Sequence, residues 1–505
     1  DAASGRTFQT ENPATGQPLA TVAEGDAADV DAAVAAARRA VDHGPWATMS
    51  PGDRKRTLLR VADAIDANTE ELAITESLDS GKPLSDCRAI DIPDTAATIR
   101  WHAEAIDKIN DDVTPTGRDS LAMIVREPVG VVGAVIPWNY PALMAAWKLG
   151  PALATGNAVV MKPARFTSLS LLRIAELATE AGLPPGVLNV VPGGGESVGG
   201  AIGRHMDIDA VAFTGSTEVG RTFLEYAARS NLKRVMLELG GKSPQVVMRD
   251  VSDIENLVAN ATNAIFWNMG ENCSAGSRLI VHKDRKAEVL DALVAAVERD
   301  WIVGDPLDEA TRIGPMISRS HMDTVLEYIA VGRADGARVA TGGQRVREDS
   351  GGWFVTPTIF DGVRNDMRIA QEEIFGPVLC VIPFESEDEA IAIANDSIYG
   401  LGGGVQSGNI ERAEGVAARM RTGSIGHDTE VRRIHWPASL RSIRRVSEPA
   451  LKRESVRRAS RSNGTLVGTG GGMGDGRDLT HQAPTARPMQ MMRAMMAARG
   501  DTVRY

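Results

Sequence analysis

One cysteine of this 505-residue chain has surroundings that suit covalent chemistry. Cys273 lies in the stretch Phe266-Trp-Asn-Met-Gly-Glu-Asn-Cys-Ser-Ala-Gly276, which is flanked by glycine and directly follows a predicted helix. The thiolate form of cysteine is a nucleophile. A lone cysteine is also an ordinary small buried residue, so the functional interpretation depends on the groups that accompany it.

Two further motifs supply an acid and an amide. Leu237-Glu-Leu-Gly-Gly-Lys-Ser-Pro244 places Glu238 at the end of an apolar strand, where open α/β sheets bind ligands. A carboxylate there is either salt-bridged or functional. Pro137-Trp-Asn-Tyr-Pro141 follows the first strong strand, and Asn139 offers a neutral amide N–H of the type that stabilises a developing oxyanion. Asn139 also suits a simple turn between two prolines.

A glycine-bounded turn could receive a phosphate group. Gly215–Gly220 opens a predicted helix after a strand, so a pyrophosphate there would meet backbone N–H groups and the positive end of the helix dipole. Glycine at such a junction is also common in turns that bind nothing.

The elements that must position these residues alternate from about residue 130. The pattern predicts helices over 27–44 and 51–78, and then strands and helices in turn: strands 131–136, 157–161, 187–191 and 210–213 with helices 141–155, 168–181 and 217–229. This order predicts a parallel sheet with helices on both faces. A second α/β unit follows Gly240-Gly241, with strands 245–248 and 279–282 and helices 253–268 and 285–298. We assign cofactor binding to the first unit and catalysis to the second.

Composition excludes several classes of function. The net charge of −11 argues against nucleic acid as the main partner. The longest apolar runs are strand-sized, which predicts no membrane span, and the first residues do not resemble a signal peptide. Three cysteines make neither a disulfide framework nor a zinc site, so we expect no metal and a reducing, cytoplasmic location.

Together these motifs resemble the aldehyde dehydrogenase superfamily. The resemblance runs from about Asn12-Pro-Ala-Thr-Gly16 to Gly426, and it includes Phe213-Thr-Gly-Ser-Thr-Glu-Val-Gly220 and Glu372-Glu-Ile-Phe-Gly-Pro-Val378. It implies an α/β fold with a Rossmann-type cofactor domain over residues 1–240, a bridging segment near 113–128 and an α/β catalytic domain over 241–426.

The resemblance also implies a reaction: oxidation of a small-molecule aldehyde to a carboxylate with NAD through a cysteine thioester. Cys273 would be the nucleophile, Asn139 and the Cys273 backbone N–H would hold the oxyanion, and Glu238 would activate water. Lys148 matches a proton-relay position, and Tyr140 and Trp147 match positions that line the aldehyde tunnel. The expected cofactor-binding residues are Ile136, Trp138, Lys162, Gly215, Ser216, Gly220, Glu373 and Phe375.

Arg165 departs from the family pattern. Many relatives carry an acid three residues beyond the ribose-binding lysine, whereas this chain has Arg165. An arginine cannot accept hydrogen bonds from ribose hydroxyls but can pair with a 2′-phosphate, so NADP is an open alternative to NAD.

The sequence beyond Gly426 departs further. Residues 427–505 contain 15 Lys and Arg against 7 Asp and Glu, whereas the preceding residues contain 40 against 59. The segment is rich in Arg, Ser and Gly without periodicity, which predicts a divergent, disordered tail and a degraded oligomerisation element. We hypothesise a frameshift. Its test is the encoding DNA, in which an alternative frame should restore the family motifs. The family forms homodimers or homotetramers, and this tail leaves the assembly open.

Several interpretations of function remain at this point. The pattern is closest to the branch that acts on amino- and betaine-type aldehydes. A coenzyme A-acylating semialdehyde dehydrogenase is the alternative within the family, and it is disfavoured because such relatives tend to lack the base at Glu238. A catalytically impaired homologue with a binding or structural role is a second alternative. A cysteine hydrolase is a third, with His282 as the nearest histidine in the sequence.

Overall fold

The computed structural model describes residues 2–116 and 118–428. The chain begins with an antiparallel hairpin, β1 (Thr7–Asn12) and β2 (Gln17–Ala23). A layer of helices follows: α1 (Ala27–Asp42), α2 (Pro51–Ala67), α3 (Thr69–Ser80), α4 (Leu84–Asp86) and α5 (Ile92–Ala105). A π-helical turn, Cys87–Asp91, joins α4 to α5.

The single helix expected over 51–78 is wrong, because the structure has two helices there. The break falls at Asn68, which has φ −112° and ψ 23° and donates a side-chain hydrogen bond to the Ala64 carbonyl at 2.7 Å. Asparagine competes with the helix for backbone hydrogen bonds in this way. Apolar residues continue on both sides of the break, so periodicity alone did not show it.

A short hairpin leads from the helical layer to the first sheet. It consists of β3 (Asp112–Thr114) and β4 (Ala122–Ile124), which pair in antiparallel register. Its apolar side chains face outward: Val113 is 69% exposed and Leu121 is 72% exposed.

The first sheet has five parallel strands in the order β7-β6-β5-β8-β9. They are β5 (Val131–Val135), β6 (Ala158–Lys162), β7 (Leu188–Val190), β8 (Ala210–Thr214) and β9 (Arg234–Glu238). The connecting helices are α6 (Pro141–Ala154), α7 (Leu169–Glu180), α8 (Ala201–Arg204) and α9 (Thr217–Ala228). Every residue of β5 and β6 is buried, as expected for strands covered on both faces.

The topology of this sheet creates a crevice. The chain runs outward from β5 through β6 to β7 and then returns to the other side of β5 as β8. Ligands of open α/β sheets bind at such a reversal, beyond the carboxyl ends of the strands. The loops that follow β5 and β8 therefore flank a ligand-binding crevice.

A second sheet has seven strands in the order β12-β15-β16-β11-β10-β17-β18, all parallel except β12. The elements in this part of the chain are β10 (Pro244–Val247), α10 (Ile254–Phe266), β11 (Arg278–His282), α11 (Lys286–Asp300), α12 (Arg319–Ala334), β12 (Arg338–Thr341), β13 (Arg345–Val346), β14 (Phe354–Val355), β15 (Thr358–Asp361), α13 (Arg368–Gln371), β16 (Val378–Phe384), α14 (Glu387–Asn395), β17 (Gly402–Gln406), α15 (Ile410–Arg419) and β18 (Ser424–Asp428).

The expected fold class is confirmed: two mainly parallel sheets, each packed with helices, form an α/β structure. Among the described residues, no helix is both long enough and apolar enough to cross a membrane. The expected divergent tail and its degraded oligomerisation element lie outside the described residues, apart from His427 and Asp428, whose backbone ends β18.

Candidate active site

The loop that carries Cys273 is shaped by three consecutive residues with positive φ. α10 ends at Phe266, and Asn268, Met269 and Gly270 then have φ of 54°, 56° and 71°. The two non-glycine residues each cost on the order of 1 kcal/mol in this region. At Gly270 a Cβ would lie 2.2 Å from the Gly376 carbonyl oxygen. The turn is thus strained and closely packed where it delivers Cys273.

Asn139 is fastened to the same loop. Its side-chain nitrogen donates to the Glu271 carbonyl at 2.9 Å, and Asn268 donates to that oxygen at 2.9 Å and to the Asn139 carbonyl at 3.2 Å. A carboxamide carries two hydrogens, so the second one remains to meet an oxyanion. The structure therefore joins the loop after β5 to the cysteine loop, although the two are more than 130 residues apart in the chain.

Glu238 is the last residue of β9, and the glycine pair that follows approaches the cysteine loop. A Cβ on Gly241 would lie 2.3 Å from the Cys273 carbonyl oxygen, so only glycine allows this approach. Burial raises the pKa of Glu238 above its ordinary value, and the charge of Lys148 opposes that rise. A carboxyl group with a raised pKa suits proton abstraction near neutral pH.

Lys148 lies beneath these groups. It projects from α6, is buried, and donates to the Thr214 hydroxyl at 2.6 Å. Burial lowers the pKa of Lys148 to about 8, whereas the charges of Glu238 and Cys273 act to raise it. The three ionisable groups therefore interact electrostatically.

The Cys273 sulfur is desolvated even though the residue as a whole is half-buried. Burial raises the pKa of this thiol to about 12, and the nearby carboxyls Glu238 and Glu373 add to the rise. The cysteine is therefore a thiol near neutral pH in this structure, and attack on a carbonyl requires that its proton be removed.

Glu373 and Phe375 lie beside the loops that carry Glu238 and Cys273. A Glu373 carboxylate oxygen accepts from the Gly241 backbone N–H at 2.9 Å, and burial raises the pKa of this carboxyl to about 7. Phe375 has φ 59°, and its carbonyl accepts from His321 Nε2 at 2.6 Å. The Phe375 ring lies edge-on to Trp138, with centroids 5.2 Å apart.

The remaining expected cofactor residues lie at the ends of neighbouring strands. Lys162 ends β6, and burial lowers the pKa of its amine to about 8. The Ile136 backbone N–H donates to the Lys162 carbonyl at 3.1 Å. Ser216 caps α9 by accepting from the Val219 N–H at 3.3 Å, while Gly220 is buried one turn later.

This arrangement fits a dinucleotide. The first turn of α9 is open to solvent, so its backbone N–H groups are accessible to a pyrophosphate. At Gly215 a Cβ would lie 2.6 Å from the end of the Phe213 ring, so a larger residue would require that ring to shift.

Arg165 is already engaged by other side chains. Its guanidinium lies 3.3 Å from a Glu24 carboxylate oxygen and stacks on the Phe8 ring at 4.6 Å. About half of its side chain is exposed, so it can exchange this partner for another anion.

The two expected tunnel residues differ in their surroundings. Tyr140 is buried, with the Lys82 ammonium 4.0 Å from its ring centroid and the Trp267 ring 5.4 Å away. Trp147 is half-buried and packs against the core of the helical layer. Tyr140 thus interacts with a charged group, and Trp147 with apolar ones.

A set of buried charged groups behind Tyr140 was not predicted from the sequence. Lys82 and Asp91 form an ion pair at 2.9 Å with exposed fractions of 1% and 0%. Glu76 and Glu271 are also buried. The one signal in the sequence was the spacing of Glu76 and Asp79, which puts two acids on one face of α3. Among the described residues, no group of three or more His, Cys, Asp or Glu side chains could hold a metal ion.

Comparisons with known proteins identify the family that the chain resembles. The profile described as "Aldehyde dehydrogenase family" matches residues 1–436. The chain is 52% identical to the aminoacetaldehyde dehydrogenase of Pseudomonas aeruginosa over 425 residues, which are 84% of this chain and 85% of that protein. It is 46% identical to the NADP/NAD-dependent aldehyde dehydrogenase PuuC of Escherichia coli, over 84% of this chain and 85% of that one. A crystal structure of an indole-3-acetaldehyde dehydrogenase complexed with NAD+ superposes with a TM-score of 0.84 at 50% identity and covers 85% of this chain and 87% of the other.

Proposed function

The chain belongs to the aldehyde dehydrogenase family, and from this we propose that Cys273, Asn139 and Glu238 catalyse its reaction. That reaction is the oxidation of an aldehyde to the corresponding acid with a nicotinamide cofactor. The observation that carries the proposal is the convergence of the three loops: Asn139 is hydrogen-bonded to the cysteine loop, and Gly241, just after Glu238, touches Cys273.

In the first half of the reaction, the Cys273 sulfur forms a bond to the aldehyde carbon. The thiol proton passes to solvent as the sulfur attacks, so Glu238 remains a carboxylate for the second half of the reaction. The carbonyl oxygen then carries negative charge, and Asn139 Nδ2 and the Cys273 backbone N–H donate to it. A bound nicotinamide would supply the hydride acceptor, and loss of a hydride from the substrate carbon would leave a thioester on Cys273.

In the second half, Glu238 removes a proton from water, and the resulting oxygen attacks the thioester carbon. The carbon–sulfur bond breaks, the acid leaves, and the Cys273 thiolate takes the proton that Glu238 removed from water. The base is needed because a thioester is only slowly attacked by neutral water. Release to water rather than to coenzyme A follows from the presence of this base.

For the cofactor, we propose that the pyrophosphate lies on the first turn of α9, at Gly215, Ser216 and Gly220. Lys162 would hold the adenosine ribose, Glu373 would hold the nicotinamide ribose, and Phe375 would pack near the ring. Ile136 and Trp138 would line the crevice. The solvent-facing helix start and the buried Lys162 amine support this placement.

NAD is the expected cofactor, and NADP remains the alternative. Arg165 supports NADP if it leaves Glu24 for a 2′-phosphate, and the relative PuuC is named for both cofactors. The Glu24 ion pair and the Phe8 stacking oppose such a change, because both contacts would be lost.

We propose an amino-type aldehyde as the substrate. The relative with 52% identity is named for aminoacetaldehyde. Asp86 and Asp91 also interact electrostatically with Tyr140. The Lys82 ammonium lies 4.0 Å from the same ring and is paired with Asp91, so it offsets that negative charge. The name of the relative therefore carries the substrate assignment.

The remaining assignments are also proposals. The five-stranded sheet supports a cofactor domain over residues 1–240, and the seven-stranded sheet supports a catalytic domain over 241–426. The three free cysteines support a reducing, cytoplasmic location. The outward-facing apolar residues of the β3–β4 hairpin support a homo-oligomer.

A panel of aldehydes tests the substrate and the cofactor together. We expect an ω-amino aldehyde to exceed an uncharged aldehyde of equal length by about tenfold in kcat/KM, which corresponds to ~1.4 kcal/mol. The rate is read from absorbance of the reduced cofactor, with NAD and NADP in parallel. A preference for the uncharged aldehyde would contradict the amino-aldehyde assignment, and a strong NAD preference would defeat the role of Arg165 in binding a 2′-phosphate.

Two variants test the chemistry in the same assay. Cys273→Ala should reduce no cofactor, and Glu238→Gln should give one burst of reduced cofactor per site followed by slow turnover. Cys380→Ala, which removes a buried thiol, and Glu298→Gln, on α11, are matched controls. Full turnover by Cys273→Ala would overturn the mechanism, and full turnover by Glu238→Gln would remove Glu238 from it. Activity on any aldehyde excludes the catalytically impaired alternative.

A further inference from the structure

Helix α3 carries two buried carboxylates that the proposed mechanism does not use. Glu76 and Asp79 are 0% and 1% exposed, and their spacing of three residues puts them on the same face of the helix. Burying a carboxylate is costly unless it is hydrogen-bonded or paired. Each of these two acids accepts hydrogen bonds at the start of a different helix.

Glu76 contacts the beginning of α6. One of its carboxylate oxygens accepts from the Ala142 backbone N–H at 3.1 Å and from the Ser170 hydroxyl at 2.8 Å. α6 has no cap of its own, because the N-cap residue Tyr140 makes no side-chain cap hydrogen bond. Pro141 has no N–H, so Ala142 provides the first free donor of the helix. Glu76 therefore does from another helix what a local N-cap residue usually does.

The residues just before this cap are Asn139 and Tyr140. Asn139 is held in front by the Glu271 carbonyl at 2.9 Å. Tyr140 is held behind by the Lys82 ammonium, 4.0 Å from its ring centroid, and Lys82 is paired with Asp91. Glu76 thus fixes the far end of the loop after β5 at Ala142, two residues beyond Tyr140.

We propose that Glu76 is a positioning residue for Asn139. Its carboxylate fixes the first turn of α6 and so directs the Asn139 amide toward the place where an oxyanion forms. This inference rests on the role proposed above for Asn139. Oxyanion stabilisation depends on donor placement, and a misplacement of about 1 Å costs on the order of 100-fold in rate.

Asp79 provides a matched comparison within the same helix. Its carboxylate accepts from the Leu169 backbone N–H at 3.0 Å, at the start of α7, which also lacks a side-chain cap of its own. Both carboxyl groups are buried and each accepts from a backbone N–H at the start of a helix, although Glu76 also accepts from the Ser170 hydroxyl. Only Glu76 acts on the helix that follows Asn139.

The test compares Glu76→Ala, Glu76→Gln and Asp79→Ala in the full-length protein. We expect Glu76→Ala to lower kcat by about 10- to 100-fold without changing the dissociation constant for the cofactor. Glu76→Gln should recover most of the rate, because its amide oxygen still accepts from the Ala142 N–H. Asp79→Ala should keep kcat within about twofold of the parent, since α7 does not carry the oxyanion donor. If Glu76→Ala does not fold, Glu76→Asp replaces it, because the shorter side chain withdraws the carboxylate from Ala142 while retaining its charge.

Two outcomes would overturn the inference: a parental kcat in folded Glu76→Ala, or equal losses of kcat in Glu76→Ala and Asp79→Ala. Asn139→Ala, measured in parallel, separates this inference from the proposed function. If Asn139→Ala is fully active, the proposed oxyanion role itself fails. If it is slow while Glu76→Ala is not, only the role of Glu76 fails. We expect the double variant Asn139→Ala/Glu76→Ala to be no slower than Asn139→Ala, because both changes remove the same interaction.

Discussion

Lys148 interacts with both ionisable groups of the proposed mechanism, so its removal should change the pH profile. The charge of Lys148 lowers the pKa of Glu238, which burial raises. Turnover requires ionised Glu238 and therefore falls as pH decreases through that pKa. In Lys148→Met the attraction is lost, the pKa of Glu238 rises further, and the acidic limb of kcat against pH should move to higher pH. The measurement is kcat between about pH 5 and 9 at saturating substrates.

Lys233→Met is the control for this experiment. Lys233 is also buried, burial lowers its pKa to about 8, and it donates to the Gly203 carbonyl at 2.8 Å. Its charge partner is Asp209 rather than Glu238. Its loss should leave the acidic limb unchanged. If the acidic limb of the kcat profile stays in place or moves to lower pH in Lys148→Met, the proposed interaction between Lys148 and Glu238 is contradicted.

The candidate site could be predicted from the sequence only where a residue type and its local motif were informative. Cys273, Glu238 and Asn139 each follow a predicted strand or helix, and glycines or prolines mark their loops, so they could be chosen without a structure. Lys82 and Asp91 could not be chosen, because their burial depends on contacts with Tyr140, which lies far away in the chain. A charged residue in an amphipathic sequence is normally expected to face solvent.

At the level of elements, the sheet strands could be predicted because they are buried on both faces. The backbone conformation of the turns could not be predicted. The expected strand 131–136 corresponds to β5, and the expected strand 210–213 lies within β8. Asn268 belongs to a residue type that adopts positive φ more readily than most, but Met269 does not, so the consecutive positive φ values could not be predicted from the sequence. Such conformations are maintained by contacts with the surrounding structure rather than by local preference.

Leu232 is another left-handed residue, and it gives a test of backbone strain. It lies between α9 and β9 with φ 59°, and 78% of the residue is exposed, so its side chain contributes little packing. Glycine adopts this conformation without the Cβ penalty. We expect Leu232→Gly to raise the free energy of unfolding by about 1 kcal/mol, measured as a higher urea midpoint.

Leu224→Gly is the matched control for Leu232→Gly. Leu224 is also an exposed leucine, 50% accessible, but it lies inside α9. Glycine in a helix interior should lower stability by about 1 kcal/mol. If both substitutions lower the midpoint, then Leu232 contributes packing and its backbone strain is not the dominant effect.

At the level of the whole molecule, the two sheets meet where their loops converge. The loops after β5 and β9 belong to the first sheet, and the loop before β11 carries Cys273, yet hydrogen bonds and close backbone contacts join all three. The order of strands and helices predicted two units. Their mutual placement could not be predicted, because it depends on contacts such as Gly241 against Cys273 that no local pattern records. The family resemblance in the sequence motifs ends at Gly426, and the family profile matches to residue 436.

The β3–β4 hairpin exposes several apolar side chains close together, which is unusual for the surface of a monomer. Val113 and Met123 face each other across the two strands and are 69% and 53% exposed, and Leu121 and Val125 beside them are 72% and 45% exposed. Exposed apolar patches of this kind mark protein–protein contacts, and a two-stranded hairpin is barely stable alone in water. We therefore expect the hairpin to be covered by a second copy of the chain.

Replacing the facing pair, in Val113→Ser/Met123→Ser, should lower the molar mass in solution toward that of a single chain, as measured by light scattering after size exclusion. The matched control is Ile302→Ser/Leu307→Ser, which changes two exposed apolar residues outside the hairpin, 51% and 46% accessible, and should keep the parental mass. An unchanged mass in the hairpin variant would mean that copies of the chain associate through another surface. A parent that is already monomeric would mean that the hairpin stays exposed, and its apolar residues would then require a different partner.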